Sequence, residues 1–222
     1  MDTEPADPSG TPALDRRARR PDRRRARTRG AIMTAARTLF AARGVRRATI
    51  EEIAEAADVS VGAVYFHFQS KEGLYLALVD QALEVNTEAM AAVDRALPPL
   101  DRVLAAGHAY MRFALEYPEH FQMVALRVLD PQADPALVEI EDRVAARVEA
   151  LVGIVEQDLI EAMADGSVRE VPPREVMRFL WGAWNGVTAL SFRPDRLRLT
   201  PDEVQRTLEV GQGILESALR RR

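Results

Sequence analysis

Between Thr49 and Lys71 the chain reads TIEEIAEAADVSVGAVYFHFQSK, and this stretch concentrates the residue types suited to contacting a polyanion. Tyr65, His67 and Lys71 offer hydrogen-bond donors for phosphate oxygens, and Lys71 falls near a helix N-terminus, itself an anion-favouring position. Just before them, Ser60, Val61, Gly62 and Ala63 are small, so a backbone carrying them can come close to base edges. Gly62 would cost a helix interior roughly 1 kcal/mol relative to alanine, which points to close approach by something outside the chain. Tyr65 and Phe68 also fit an apolar core, and His67 also fits a plain surface position.

Catalytic chemistry finds little support. The chain has no cysteine, and its three histidines (His67, His108, His120) form neither an HExxH pair nor a metal-spaced cluster. No GxSxG occurs. Lys71 is the only lysine; no glycine precedes it at P-loop spacing, and any Schiff base would have to form there. Gly211-Gln212-Gly213 lies inside a helical pattern, follows no strand and lacks a third glycine, so it is not a dinucleotide fingerprint. No enzyme activity, metal or cofactor is expected.

The elements that must position the 49–71 stretch are helical. Ile32, Ala35, Ala36, Leu39 and Phe40 share one helix face that Gly44 ends. Thr49 then caps a helix with Glu52 completing a capping box, Asp58-Val59-Ser60 makes a tight turn, Ser60 caps a short helix and Ser70 a long one. Two short helices joined by three residues, with small Ala54 and Ala57 where they meet, form a helix-turn-helix that projects its second helix into the DNA major groove. Pro98-Pro99 ends the long helix, and further helices are expected over 100–116, 118–129, 135–164, 173–192 and 201–219. No segment alternates with the period of a strand, so the fold class is all-α with about nine helices. Residues 1–28 lack hydrophobic periodicity and are expected to be a disordered arm, either a solvated tail or a segment tracking phosphates with Arg16, Arg17, Arg19, Arg20, Arg23, Arg24, Arg25 and Arg27.

Charge is distributed in the same sense. The net charge of −4 at first argues against nucleic acid, but it divides into +5 over residues 1–71 and −9 over residues 72–222. No apolar run is long enough for a membrane span and no secretory signal opens the chain, so a cytoplasmic location is expected.

Residues 29–83 resemble the DNA-binding domain of the TetR family of bacterial transcriptional regulators. Gly44, Thr49, Ile53, Ala54, Val59, Ser60, Gly62, Tyr65, Phe68, Lys71 and Leu74 all match the family pattern, with Asp58 standing where a turn glycine is common. The resemblance implies that Thr49, Ser60, Tyr65, His67 and Lys71 position the domain on phosphates, that Val61, Gly62 and Ala63 face the base edges, and that Arg46 and Arg47 flank the motif. It implies a homodimer on a palindromic double-stranded operator, and an effector- and dimer-forming region over 84–222. In the family the last two helices build the dimer, where Val187, Leu190, Leu208, Gly211, Ile214 and Leu215 supply apolar faces.

For the effector, Tyr110, Met111, Phe113, Phe121, Met123, Met163, Met177, Trp181 and Trp184 either line a cavity or form ordinary core. Asn185, beside the two tryptophans, needs a polar partner if buried, and His108 and Arg127 fall in apolar-patterned helices where they can read a polar group. The expected function is a repressor released by a largely apolar small molecule. The competing reading is a helical small-molecule carrier or enzyme whose DNA-binding motif is vestigial.

Overall fold

A computed structural model describes residues 13–129 and 135–221. Its helices are α1 (Ala13–Arg43), α2 (Ile50–Ala56), α3 (Val61–Phe68), α4 (Lys71–Ala91), α5 (Pro99–Glu116), α6 (Pro118–Leu129), α7 (Val138–Ala164), α8 (Pro173–Ala189) and α9 (Pro201–Leu219). Short 3-10 turns precede α7 and follow α8. Among the described residues the only extended pairing is an isolated bridge between Val168 and Arg220. The all-α expectation holds.

One boundary moves. Of the arm expected over 1–28, residues 1–12 lie outside the described residues, whereas from Ala13 onward the chain already belongs to α1. The expectation rested on missing hydrophobic periodicity, but a helix nucleated by its docked half can propagate through residues that bury nothing. Alanine and arginine are strong helix formers, and they carry the helix through Pro21, which costs about 3 kcal/mol through a lost ladder bond and a clash with the carbonyl four residues earlier.

The helix-turn-helix is built by its caps. Thr49 Oγ1 accepts from the Glu52 amide at 3.2 Å, and Glu52 Oε2 accepts from the Thr49 amide at 3.0 Å. Ser60 Oγ accepts from the Ala63 amide at 3.2 Å, and Ser70 Oγ from the Gly73 amide at 3.0 Å. Asp58 adopts φ 54°, the left-handed conformation that Asp tolerates and a turn glycine adopts more easily. At the α3–α4 junction a Cβ on Gly73 would stand 2.2 Å from the Phe68 carbonyl oxygen, so only glycine lets α4 start this close to the end of α3.

Two apolar cores hold the helices. The first joins Ile32 and Phe40 of α1, Ile53 of α2, Val64 and Phe68 of α3 and Leu74 and Leu78 of α4 to Phe113 of α5 and to Phe121 and Met123 of α6. Tyr75 ties α4 to α6 by donating to the Met123 carbonyl at 2.9 Å. The second unites α5, α7, α8 and α9 through Val103, Leu159, Leu180, Trp184, Val204 and Leu208. Helix α4 runs unbroken from Lys71 to Ala91, so the helix that begins against α3 continues into the C-terminal half.

Candidate nucleic-acid interface and ligand cavity

Helix α3 has two faces. Val64 and Phe68 are buried in the first core and Val61 packs partly against it. Gly62, Tyr65 and Phe66 face outward, with Tyr65 48% and Phe66 69% exposed. A Cβ on Gly62 would meet nothing nearer than Ser60 Oγ at 3.9 Å. The fold itself therefore has no need of glycine at this position.

The expected phosphate-contacting residues divide by role. Thr49 and Ser60 are exposed and act as N-caps. Arg46 and Arg47 are exposed in the turn before α2. Lys71 is half-buried, and its Nζ donates to the carbonyls of Ala48 at 3.2 Å and Arg46 at 3.4 Å, locking the α1–α2 turn onto the start of α4. His67 is half-buried and meets Phe66 edge-on at 5.4 Å between ring centroids. Burial, then the charges of Arg25 and Arg29, hold the His67 imidazole below its usual pKa.

Phe66 and Arg29 were missed, whereas Arg25 was anticipated as part of the arginine-rich arm. The Arg25 guanidinium lies 5.2 Å over the Phe66 ring, and that of Arg29 lies 5.2 Å over Phe68, so the α1 extension stands beside α3. Arg23, Arg24, Arg25 and Arg27 are exposed along it. The signal for Phe66 was available: Val61, Val64 and Phe68 define the buried stripe at i, i+3 and i+7, and Phe66 falls off it.

In the C-terminal half a cavity of about 800 Å³, including its mouth, opens among α4, α5, α6, α7, α8 and α9. Of the expected effector residues, Tyr110, Met177, Trp181 and Trp184 line it. Asn185 stands behind: its Oδ1 accepts from the Tyr110 hydroxyl at 3.2 Å and its Nδ2 donates to the Trp181 carbonyl at 2.8 Å. Burial pushes the Tyr110 phenol above its ordinary pKa, against the hydrogen bond to Asn185. His108 contacts Gln212 Nε2 at 3.3 Å, and Met111 packs in the second core.

Phe121 is fully buried in the first core and does not line the cavity; its ring meets that of the lining Tyr110 edge-on at 5.6 Å. Arg127 does not line the cavity either. Its guanidinium joins Glu72 of α4 at 3.4 Å to Glu141 of α7 at 3.1 Å, an ion-pair role that an apolar helical pattern cannot distinguish from ligand reading. Arg143 and Arg147 of α7 pair with Asp80 of α4 at 3.3 and 2.8 Å. Sequence reasoning missed Asn86 and Met90 of α4, Val152 and Val155 of α7 and Gln212 of α9 as lining residues.

The expected dimer residues also separate. Ile214 is 66% exposed, and Val187, Leu190 and Gly211 are half-buried. Leu208 is buried in its own protomer's core, and Leu215 lines the cavity. The spacing of apolar residues on α9 fits both its faces, so it could not separate inward from outward positions. Phe179 of α8 and Val210 of α9, 70% and 63% exposed, were missed.

Comparison with known proteins agrees with this architecture. The pattern of bacterial regulatory proteins, tetR family, matches residues 32–78, and that of a tetracyclin repressor-like C-terminal domain matches residues 103–211. The transcriptional repressor KstR2 of Mycobacterium tuberculosis is 30% identical over 141 residues, covering 60% of this chain and 67% of that protein. The transcriptional repressor BepR of Brucella suis is 42% identical over 65 residues, covering 29% of this chain and 31% of BepR. The chain thus spans under a third of the length of BepR and similarly matched curated relatives. Among solved structures, AibR in complex with isovaleryl coenzyme A and operator DNA superimposes with a TM-score of 0.65 at 22% identity, covering 85% of this chain and 97% of that one. With both its N-terminal and C-terminal parts matched, the chain belongs to the TetR family of DNA-binding transcriptional regulators.

Proposed function

We propose that this protein is a homodimeric repressor that binds a palindromic operator and is released by a small molecule. The observation carrying the DNA reading is the outer face of α3: an open Gly62 beside exposed Tyr65 and Phe66. Without a side chain at 62, the helix backbone can approach base edges, while Phe66 offers an apolar surface suited to thymine methyl groups. Exposed Arg46, Arg47, Arg23, Arg24 and Arg27 flank that face with phosphate-binding charge.

Dimer formation is supported by the outer faces of α8 and α9. Phe179, Val210 and Ile214 leave water-exposed apolar surface there, and the exposed glycines Gly182, Gly186 and Gly213 allow close helix approach. A two-fold arrangement would present two α3 helices to half-sites about one helical turn apart.

Release follows from how α4 is shared. Its C-terminal half lines the cavity through Leu83, Asn86 and Met90, while its N-terminal turn abuts α3. The ion pairs of Asp80 and Glu72 tie it to α6 and α7. A ligand that fits better with α4 displaced shifts the dimer to a spacing that no longer matches the operator. Nothing in this scheme needs a catalytic group, and no helix among the described residues is long and apolar enough to cross a membrane. We place the protein in the cytoplasm, where its DNA is.

A gel shift against the promoter region beside its own gene tests the reading. A specific retarded complex at moderate salt, lost on changing Gly62→Leu, is expected. Equal retention of an unrelated fragment would reject it.

A further inference from the structure

The cavity among α4, α5, α6, α7, α8 and α9 is apolar almost throughout, and two of its few polar side chains are committed. The Tyr110 hydroxyl donates to Asn185, and Gln212 Nε2 donates to the Leu104 carbonyl at 2.8 Å. Two lining groups are not. Trp184 Nε1 and Asn86 Oδ1 are inaccessible to water and have no hydrogen-bond partner among the described residues; the two side chains are 8% and 3% exposed. One is a donor and the other an acceptor. Leaving either unmade costs more than a typical hydrogen bond gains, so a pair of such orphans in one cavity points to a ligand that supplies the complement.

Charge narrows the chemistry. Among the described residues no Asp, Glu, Lys, Arg or His lines the cavity. A carboxylate, phosphate or ammonium buried there would lose its hydration with nothing to replace it. Arg127, expected from the sequence to read a polar group, is engaged by Glu72 and Glu141 instead.

We infer that the cavity takes an uncharged, largely apolar molecule bearing a hydroxyl group, alone or with a carbonyl, that accepts from Trp184 Nε1 and donates to Asn86 Oδ1. A hydroxyl does both, whereas a hydrocarbon satisfies neither and an ionised acid cannot donate. Gly107 also lines the cavity: a Cβ there would touch Trp184 Cζ2 at 3.7 Å and Gln212 Oε1 at 3.6 Å, ordinary contact distances. The inference rests on the cavity being the effector site.

The protein contains two tryptophans, Trp181 and Trp184, and both line the cavity, so intrinsic fluorescence reports its occupancy directly. The full chain is titrated with 1-decanol, decane and sodium decanoate at pH 7.5. Decanol should bind roughly tenfold tighter than decane, as one or two hydrogen bonds require, and more than tenfold tighter than decanoate. Trp184→Phe keeps the ring bulk, removes the N–H and leaves Trp181 as reporter; it should erase most of the decanol-over-decane preference, as should Asn86→Leu. Should either variant fail to fold, the three-probe comparison on the unaltered chain decides alone. Equal or tighter binding of decanoate overturns the ligand class while leaving the effector site standing. No response to any of the three overturns both.

Discussion

Replacing Phe66 with alanine separates DNA reading from folding. The ring is 69% exposed, meeting the His67 ring edge-on and lying under the Arg25 guanidinium, so its loss should change folding stability by about 0.5–1 kcal/mol. In a groove the ring has far more to lose. A phenylalanine side chain carries about 200 Å² of surface, of which roughly 140 Å² is still open here. Covering about half of that on one groove wall removes ~70 Å² from water, worth ~2 kcal/mol per protomer. That agrees with the ~1–3 kcal/mol typical of a base contact. Two protomers on one operator lose ~4 kcal/mol, or two to three orders of magnitude in affinity. Fluorescence anisotropy with a labelled promoter fragment measures this loss, and thermal melting checks the fold. An operator with uracil in place of thymine, which lacks the methyl groups, should weaken the wild type and leave Phe66→Ala nearly unaffected. Affinity within twofold of wild type would refute the placement of Phe66 in the groove.

Lys71→Met should lower melting temperature and operator affinity together, and equally for all operator variants, because Lys71 holds the Arg46 and Ala48 carbonyls; a selective change in base preference at unaltered stability would contradict that role. Asp158→Asn should destabilise by about 3 kcal/mol in urea melts, since the buried carboxylate holds Arg102 Nε at 3.0 Å and Arg95 Nη1 at 2.7 Å; a change below 0.5 kcal/mol would show the pairs to be dispensable. His67 and His120 both have pKa values held below the ordinary 6.5, chiefly by burial and then by neighbouring arginines. The folded state therefore binds their protons less readily than the unfolded one. Stability should be complete above pH 6.5 and fall as pH drops below it, and a His67→Gln, His120→Gln double variant should flatten that fall. Phe179→Glu with Ile214→Glu should give a monomer in sedimentation and abolish operator binding, whereas a persistent dimer would place the interface elsewhere.

Local sequence signals carried most of the fold. Thr49, Ser60 and Ser70 cap where their types and spacing indicate, and α6 and α9 start and stop at the anticipated residues. These features are written within a few residues of one another. The outer face of α3 was only partly legible: small residues at 61–63 drew attention, yet Val61 turns toward the core, and Phe66 was overlooked despite lying off the buried stripe. The cavity was harder. Tyr110, Trp181 and Trp184 were found by composition, but Asn86 and Gln212 reach it only because α4 and α9 converge there, a contact between positions far apart in the chain. Arg127 illustrates the same limit, since its partners Glu72 and Glu141 lie 55 and 14 residues away.

Footprinting of the promoter region beside the protein's own gene most directly tests whether two α3 helices read one operator. Two protected half-sites, related by a two-fold axis and centred about one helical turn apart, are expected. Gly62→Leu should abolish both without lowering the melting temperature, because a larger residue at 62 has open space in the free protein but not against a base edge. A single protected patch, or full protection by Gly62→Leu, would contradict DNA reading through the face of α3.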